Sequence, residues 1–403
     1  MSGEETQLRF QDWLPPGAPA RGRWSLDGRP QTRTKLGIID RYLRDWAPIM
    51  LRYHGEIFYV DCFAGQGLYD SELGPVSGTP MLALGIARRH REVWGRSGKD
   101  GRSRLICRFI ELKPSNAKVL AGRIDEFRED VDLELRQGKF QELLAPLFEE
   151  IQDRPAFVLL DPYGIRELPF DSVQTLLSHP GEVLINLCSM GVIRCAGFLD
   201  ALDKTTDGQK QAAAQTQVAI VDALYGTDEW RSIVRDTTQT ALQREDKLVA
   251  LYCDRILPFR KYVISRRLPT RSDLGGTMFH LVFATDNETG LEKFNDAAFQ
   301  VLRKAFQTKP STDVLQGLLT ARYKGKVVEW GEIILDYGSR YKTSWVRNSL
   351  KRLVEAGSIR ESQLLTRKDR RNPEYDFTML GGPPAFGAHP NYSAKNAPTA
   401  ALN

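Results

Sequence analysis

A glycine-rich stretch after an apolar run is the clearest chemical signal in the sequence. It reads Tyr59-Val60-Asp61-Cys62-Phe63-Ala64-Gly65-Gln66-Gly67, and its glycines let the backbone approach a ligand closely because no Cβ intervenes. A dinucleotide-binding loop would have a third glycine where Asp70 stands, and an acidic side chain there would repel a pyrophosphate, so NAD and FAD are disfavoured. An acidic strand end before Gly-x-Gly fits instead a cofactor with a positive sulfonium and an amino-acid end, such as S-adenosylmethionine. A plain turn would give the same residues.

A second apolar run ends in the carboxylate of Glu111, within Phe109-Ile110-Glu111-Leu112. A carboxylate at the end of a strand can accept both hydrogen bonds of a ribose diol, although ordinary solvated glutamates also occur there. The glycine-rich turn ends the first strand and the acidic residue ends the second, and this order favours a nucleoside cofactor. We therefore assign cofactor binding to one set of residues: Asp61, Phe63, Ala64, Gly65, Gly67, Glu111 and Leu112.

A third apolar run leads into Asp161-Pro162-Tyr163-Gly164. The proline fixes the chain sharply after the strand, so that Asp161 can face a methyl donor while Tyr163 offers an aromatic face to a flat substrate. The stretch resembles the Asp/Asn-Pro-Pro-Tyr loop of amino-group methyltransferases, but the second proline is absent. We assign catalysis to Asp161, Pro162 and Tyr163, against the alternative of a β-turn at the edge of a sheet.

The elements that carry these motifs alternate between apolar strands and amphipathic helices. Strands are expected at 57–60, 105–110, 132–136, 156–160 and 183–187, and helices at 35–46, 80–90, 114–127, 141–151 and 170–177. Such alternation predicts an α/β fold with a Rossmann-like parallel sheet, covered by helices on both faces and binding ligands at the carboxyl ends of its strands.

The segments outside this alternation define the remaining organisation. Residues 1–33, rich in Pro, Gly and Arg, predict a flexible arm, and 381–403 predict a disordered tail. Residues 198–257 are helical and polar, which predicts an inserted helical cap. A closing hairpin at 261–266 and 278–285 and a helix at 288–304 complete a domain of residues 34–304.

The C-terminal segment, residues 305–380, predicts a winged helix-turn-helix domain. Three helices are expected at 311–320, 331–337 and 343–356, with Gly357 ending the last. From Val301 to Leu380, 16 Lys and Arg stand against 9 Asp and Glu, a basic excess that fits contact with a polyanion. We assign nucleic-acid binding to these residues: Arg347, Lys351, Arg367, Lys368, Arg370 and Arg371. The alternative is a module for dimerisation or partner docking.

Composition excludes several classes of protein. No apolar run approaches the roughly 20 residues that span a bilayer, and the N-terminal residues are acidic and polar, so we expect a cytoplasmic protein without membrane contact. Five scattered cysteines without a C-x-x-C pair argue against disulfides and a zinc site, and the dispersed histidines add no metal-binding pattern. We expect reduced core cysteines and no bound metal.

The assembled motifs resemble the three-Cys-motif partner proteins (TcmP), methyltransferase-like proteins of bacteria and phages. The resemblance spans about 34–304 and rests on 59–67, 78–80, 109–111, 160–164 and 280–285. It implies a Rossmann-type, S-adenosylmethionine-dependent methyltransferase fold, with a C-terminal winged helix that some relatives carry. It also implies a possible protein partner, a three-Cys-motif protein encoded nearby. The family's substrate does not follow from it.

The motifs together predict transfer of a methyl group from S-adenosylmethionine to a nucleobase amine in DNA or RNA. One alternative is a non-catalytic protein that keeps the fold and binds nucleic acid or a partner. Another is methylation of a protein or small molecule, for which the basic C-terminal segment would be incidental.

Overall fold

The computed structural model describes residues 30–71, 74–96, 103–204, 206–269, 277–302, 311–361 and 373–380. The strands of this part are β1 Glu56–Asp61, β2 Leu68–Tyr69, β3 Val76–Ser77, β4 Arg104–Glu111, β5 Leu133–Gln137, β6 Ala156–Leu160, β7 Gly181–Leu187, β8 Tyr262–Pro269, β9 Thr277–Thr285, β10 Val327–Glu329, β11 Arg360–Glu361 and β12 Glu374–Asp376.

The helices of the same residues are α1 Pro30–Met50, α2 Thr79–Arg96, α3 Pro114–Ile124, α4 Phe140–Ile151, α5 Phe170–Leu177, α6 Ser189–Lys204, α7 Gly208–Tyr225, α8 Trp230–Arg235, α9 Ala241–Ile256, α10 Glu288–Val301, α11 Thr312–Tyr323, α12 Trp330–Tyr337 and α13 Thr343–Glu355. No helix among the described residues is long and apolar enough to span a bilayer.

A seven-stranded sheet in the order β5-β4-β1-β6-β7-β9-β8 forms the centre of the molecule. The first five strands of that order pair in parallel, and β9 runs antiparallel to both neighbours. The predicted mostly parallel α/β sheet and its closing hairpin are therefore confirmed. Because successive strands are added first to one side of β1 and then to the other, the order reverses next to β1, where ligands of such sheets bind.

The helices that connect the parallel strands cover both faces of the sheet. Strand β6 is buried at every residue, as expected for an apolar run between two helical layers. On one face, helix α1 packs through a buried stripe that includes Ile39, Tyr42 and Trp46. The ring centroid of Tyr42 lies 5.5 Å from that of Phe157 on the sheet and 5.7 Å from that of Phe294 on α10. These contacts fix α1 against the sheet, whose strands β1, β4 and β6 lead into the three sequence motifs.

Two boundaries bear on the domain organisation and differ from the sequence prediction. Helix α1 begins at Pro30, so the expected arm of residues 1–33 ends inside a helix, and a proline at the first helical position presets φ for it. Helix α6 begins at Ser189, before the predicted insert, although Gly191 and Gly197 lower its intrinsic helix propensity. Its buried side chains Val192 and Leu199 pack into the core, and this tertiary contact outweighs the two glycines. Residues 1–29 and 381–403 lie outside the described part.

The C-terminal segment runs α11, β10, α12, α13, β11 and β12, and its strands form a small antiparallel sheet in the order β10-β12-β11. The Ser311 hydroxyl accepts a hydrogen bond from the amide of Val314 and caps α11, and Gly357, at φ +68°, follows the end of α13. The three predicted helices are confirmed. The expected basic wing, with Arg367, Lys368, Arg370 and Arg371, lies outside the described residues.

An acidic face of α10 docks this C-terminal segment onto the sheet domain. Glu288, Glu292 and Asp296 are spaced four residues apart, so they lie on one side of the helix. Glu288 accepts from the amide of Gly331, and Asp296 accepts from the hydroxyl of Thr343. The middle carboxylate, Glu292, accepts from both the indole of Trp330 at 3.1 Å and the guanidinium of Arg347 at 2.6 Å.

All five cysteines are buried, as the sequence predicts for core residues.

Candidate active site

The three sequence motifs meet where β1, β4 and β6 end, on the carboxyl-terminal side of the sheet. Asp61 is in register with Phe109 of β4 and with Leu159 of β6, so Glu111 and Asp161 follow two residues beyond its neighbours. This edge lies where the strand order reverses. The predicted convergence of the glycine loop, Glu111 and Asp161 is therefore what the topology produces.

The glycine loop after β1 bends over the end of β4 and contacts Glu111 directly. The amide of Gly65 donates to Oε2 of Glu111 at 2.8 Å, and the amide of Ala64 donates to the carbonyl of Ile110 at 2.9 Å. Gly65 and Gly67 have φ values of 65° and 80°, a region that side chains with a Cβ avoid. The bend therefore depends on glycine at both positions.

The carboxylate of Glu111 is almost fully engaged by the chain itself. It is 2% exposed, and besides Gly65 it accepts from the amide of Lys113 at 2.8 Å and from Nδ2 of Asn116 at 3.1 Å. A carboxylate offers about four acceptor positions, so three donors leave one. The expectation that Glu111 binds both hydroxyls of a ribose needs correction: in this conformation it can accept from only one.

A close crossing of two backbone segments holds the second glycine of the loop. The amide of Gly78 donates to the carbonyl of Gly67 at 2.8 Å, next to the short ladder of β2 and β3. A Cβ on Gly78 would come within 2.9 Å of that carbonyl oxygen, closer than real contacts allow. From the other side, the guanidinium of Arg123 on α3 donates to the carbonyl of Gln66 at 2.7 Å. The loop is thus fixed by its own backbone and by α3.

Asp61 faces inward and organises the start of the loop. It has no exposed surface, and its two oxygens accept from the amide of Phe63 at 3.1 Å and the hydroxyl of Thr79 at 2.5 Å. Burial raises the pKa of Asp61 to about 7, and these hydrogen bonds only partly oppose the rise. Thr79 is the first residue of α2, so this bond ties the start of that helix to the end of β1. A direct contact between Asp61 and the cofactor stays a prediction.

Asp161 is held by two side chains that sequence reasoning missed. The ammonium of Lys35 on α1 forms an ion pair with Oδ2, and Nδ2 of Asn186 on β7 donates to Oδ1 at 2.7 Å. Lys35 is 6% exposed and lies one turn before Ile39 on the buried stripe of α1. A lysine within an apolar helical stripe was the available signal. No comparable signal marks Asn186.

Tyr163 and two apolar side chains form the rim of this edge. The amide of Tyr163 donates to Glu167 at 3.0 Å, and its partly exposed ring lies 5.5 Å from Nζ of Lys113. Leu112 is 46% exposed, and the Phe63 ring contacts that of Phe140 with centroids 5.1 Å apart. An exposed leucine and a partly exposed aromatic ring are thus present close in sequence to Glu111 and Asp161.

A buried polar cluster attaches the inserted helices to the same edge of the sheet. Oε1 of Glu245 on α9 accepts from the hydroxyl of Ser189 on α6 at 2.7 Å and lies 3.0 Å from Nε2 of His280 on β9. Burial opposes ionisation of Glu245, but the hydrogen bonds from His280 and Ser189 prevail and lower its pKa. The insert is thereby fixed beside Asn186 and Asp161.

A separate cavity of about 440 Å³ lies on the amino-terminal side of the parallel strands, opposite to the site described above. It is lined by Trp46 near the end of α1, by Glu182 of β7 and by Glu288 at the start of α10. Because these residues lie at the amino ends of the parallel strands, the cavity is remote from Asp161 and from the glycine loop.

The two described residues of the predicted nucleic-acid surface have different surroundings. Lys351 is 75% exposed, with its ammonium 3.8 Å from the carboxylate of Glu355. The guanidinium of Arg347 is bound to Glu292 and lies 4.3 Å from the centroid of the Trp330 ring. Arg347 therefore takes part in docking α13 to the sheet domain. The exposed side chains of α13 are Ser344, Asn348, Lys351, Arg352 and Glu355.

Comparisons with solved structures find distant likenesses. An O-methyltransferase from Bacillus cereus in complex with SAH is 12% identical, with a TM-score of 0.30 over 62% of this chain and 80% of that one. The O-methyltransferase TomG from Streptomyces achromogenes in complex with SAM is 11% identical, with a TM-score of 0.29 over 66% and 91%. A Legionella pneumophila protein is 10% identical, with a TM-score of 0.34 over 64% and 86%. These TM-scores are too low to establish a relationship, and no family model and no curated protein matches the sequence.

Proposed function

We propose that the protein is an S-adenosylmethionine-dependent methyltransferase that acts on a nucleobase amine of DNA or RNA. The observation that supports this most strongly is the hydrogen bond from the amide of Gly65 to Glu111, next to Asp161. It joins a glycine loop and a buried carboxylate at the reversal of strand order, which is where a nucleoside cofactor binds in doubly wound sheets. The closing antiparallel hairpin of β8 and β9 suits a methyltransferase sheet.

The residues present fit S-adenosylmethionine. When bound, this cofactor supplies a methyl group carried on a positive sulfonium. The positive φ values of Gly65 and Gly67 give the bend that would bring the loop backbone to its amino-acid end, a conformation that residues with a Cβ avoid. Glu111 has one acceptor position for a ribose hydroxyl, and exposed Leu112 offers an apolar surface to the adenine ring. Asp61 contributes by shaping the loop through its bonds to Phe63 and Thr79.

The acceptor side of the site is formed by the loop after β6. Asp161 orients the amine by accepting one of its N–H bonds, and the Tyr163 ring stacks on the base. A base in a duplex lies out of reach of such a recessed group, so it would be flipped out of the helix, at a cost of a few kcal/mol. The proton that the amine loses on methylation leaves to solvent through the open side of Asp161, whose side chain is 15% exposed.

We further propose that the C-terminal segment is a winged-helix module that binds nucleic acid. Its order of helix, strand, two helices and two strands supports this, as does the basic composition of 301–380. The exposed face of α13, with Asn348, Lys351 and Arg352, fits contact with a groove and its phosphates, whereas Arg347 is occupied by Glu292. Because the chain resembles the three-Cys-motif partner proteins, we also propose a protein partner, a three-Cys-motif protein encoded nearby.

Mass spectrometry of nucleosides tests this function directly. Nucleic acid from cells that express the wild-type protein is compared with nucleic acid from cells that express Asp161→Ala. We expect one N-methylated nucleoside to accumulate only with the wild type. The same methylated nucleosides in both, in the same amounts, would contradict methyl transfer to a base.

A second function is supported by one observation: the polar groups of the site are already bonded to one another. Glu111 accepts from three donors and Asp161 from two. These residues would then have only a structural role, in a protein that binds nucleic acid or a partner without catalysis. This alternative predicts that Asp161→Ala keeps nucleic-acid affinity and biological function. Loss of function with retained affinity would exclude it.

A further inference from the structure

Two basic residues accompany the aromatic ring of Tyr163, one in space and one in the same loop. We infer that Lys113 and Arg166 bind backbone phosphates next to the target base, so that the site takes a nucleic-acid strand and not a free nucleoside. This inference rests on the proposed methyltransferase function and narrows its substrate to phosphodiester-linked nucleotides. It adds a nucleic-acid contact at the candidate active site to the one proposed for the C-terminal segment.

Lys113 reaches the Tyr163 ring from the end of the neighbouring motif. It lies two residues after β4, and its backbone amide donates to Glu111 at 2.8 Å, which fixes the position of the residue. Its ammonium lies 5.5 Å from the centroid of the Tyr163 ring, and its side chain is partly exposed. Because one sugar joins the base of a nucleotide to its phosphate, a base stacked on Tyr163 brings a phosphate close to this ammonium.

Arg166 supplies a second cation from the loop that carries Tyr163. A short helical turn at 165–167 folds back on this loop, because the carboxylate of Glu167 accepts from the amide of Tyr163 at 3.0 Å. The Arg166 side chain is exposed, and it forms no ion pair with any residue that the structure describes. A guanidinium presents its donors in a planar fork, so an exposed one without a carboxylate partner is suited to binding a phosphate.

The carboxylates of this region are bonded to other groups. Asp161 is paired with Lys35, and Glu111 accepts from three donors of the chain. Lys139, which follows β5, lies 3.3 Å from the carboxylate of Glu142, so this exposed pair adds no net charge. The sulfonium of the proposed cofactor, when bound, adds a positive charge that also favours an anionic substrate.

The depth of the site explains why a phosphate contact matters here. The side chain of Asp161 is only 15% exposed, so a base must enter the recess while its backbone stays outside. Phosphate contacts fix the register and orientation of a strand, whereas contacts to the base select it. Lys113 and Arg166 would therefore hold the strand while the base reaches Asp161. Basic residues that only keep a surface soluble predict no dependence on the phosphates of the substrate.

The first test counts phosphate contacts through the salt dependence of binding, without requiring turnover. A short labelled single-stranded DNA of mixed sequence is titrated with the full chain at several salt concentrations. Lys113→Met and Arg166→Gln remove the charges, whereas Lys113→Arg and Arg166→Lys keep them. The control is Arg52→Gln, which removes an exposed arginine in the turn before β1, on the amino-terminal side of the parallel strands.

We expect Lys113→Met and Arg166→Gln each to reduce the slope of log K against log salt by about 0.7, the value for one phosphate contact of a single strand. Lys113→Arg, Arg166→Lys and Arg52→Gln should keep the wild-type slope. The C-terminal segment is the same in all variants, so its contribution to the slope cancels in the comparison.

A wild-type slope in Arg166→Gln and Lys113→Met, or an equal fall in Arg52→Gln, would overturn the inference. Arg166 lies outside the residues assigned to the cofactor, so Arg166→Gln decides the matter even if Lys113→Met fails to fold. Titration of the wild type with SAH separates this failure from that of the proposed function. Unchanged slopes in a protein that binds SAH leave the proposed function standing, whereas absence of SAH binding removes it and the basis of the inference.

The second test compares acceptors directly, with the full chain and labelled S-adenosylmethionine. The same DNA strand, its nucleoside monophosphates and its nucleosides are supplied at equal concentrations of bases. We expect the wild type to label the strand at least about 10-fold faster than the nucleosides, and the double variant Lys113→Met with Arg166→Gln to reduce this ratio by a similar factor. Labelling of nucleosides or monophosphates as fast as the strand by the wild type would contradict the inference, as would an unchanged ratio in the double variant.

Discussion

The amide of Gly65 lies 2.8 Å from Oε2 of Glu111 and donates a hydrogen bond to it. This bond joins two segments that are 46 residues apart in the chain, the loop after β1 and the end of β4. A buried carboxylate that accepts from a backbone amide stabilises the loop conformation, because neither group has access to water as an alternative partner. The shape of the proposed cofactor site therefore depends on Glu111 even before a ligand binds.

Replacing this carboxylate should open the loop. We expect Glu111→Ala to weaken SAH binding by at least about 10²-fold, since the amides of Gly65 and Lys113 lose their acceptor and the ribose loses its partner. Glu142→Ala is the matched control, because its carboxylate is exposed on α4 and pairs only with Lys139 among the described ion pairs. Titration calorimetry compares the two variants. Equal affinities would show that Glu111 has no part in ligand binding.

The crossing of Gly78 over Gly67 gives a second prediction. Gly78→Ala should displace the loop and reduce SAH affinity by about 10-fold or more, because the new Cβ would lie 2.9 Å from the Gly67 carbonyl. Gly85→Ala, seven residues later and within α2, meets nothing within 4 Å. It should keep the affinity and raise the free energy of unfolding by about 0.5–1 kcal/mol, since alanine favours helix. The idea fails if the two variants bind SAH alike.

Glu182 should make stability fall with rising pH. Burial raises its pKa to about 7, against the partly compensating hydrogen bonds from Tyr42 and Thr285. The folded state therefore holds this proton more tightly than the unfolded chain. Its contribution to the free energy of unfolding is full below about pH 4.5 and is lost as the pH rises to about 7.

Glu182→Gln removes this titration and should flatten the dependence on pH between about 4.5 and 7. Denaturant midpoints at several pH values in that window would measure it, with the exposed Glu142→Gln as the control. If the stability of Glu182→Gln depended on pH as steeply as that of the wild type, Glu182 would already be ionised in the folded protein at low pH.

The C-terminal segment gives a prediction that separates docking from nucleic-acid binding. Arg347→Ala should loosen the contact with α10, because Glu292 keeps only Trp330 as a donor, and limited proteolysis should then release the segment faster. Lys351→Ala combined with Arg352→Ala should leave proteolysis unchanged. It should instead weaken nucleic-acid binding and lower the salt dependence of log K by about 1 for each lost phosphate contact. The reverse pattern would place the binding surface on the Arg347 side.

Much of the sheet could be predicted from the sequence because each parallel strand is a short apolar run between helices. Strand β6 and helix α5 have the predicted bounds at 156–160 and 170–177. Once the alternation is known, the motifs that follow strands must meet at one edge, so Glu111 and Asp161 were found beside the glycine loop. Local pattern and topology were sufficient for that part of the site.

The remaining parts of the site depend on contacts between distant segments. Lys35 is 126 residues away from Asp161 in the chain, and only the packing of α1 on the sheet brings them together. The direction in which Arg347 points is likewise set by the acidic face of α10, not by the pattern of α13. The hydrogen-bond partners of Glu111 were not predicted either. Almost every residue has a backbone amide, so the sequence does not show which amides will bond to this carboxylate.

The central claim is that the glycine loop and Glu111 form a site for a sulfonium nucleoside. Calorimetric titration of the wild-type protein with SAH, repeated with adenosine and with NAD, tests it most directly. We expect saturable one-to-one binding of SAH that is lost in Glu111→Ala, and no comparable binding of NAD. If the wild type bound no SAH, or bound NAD equally well, the account would be contradicted.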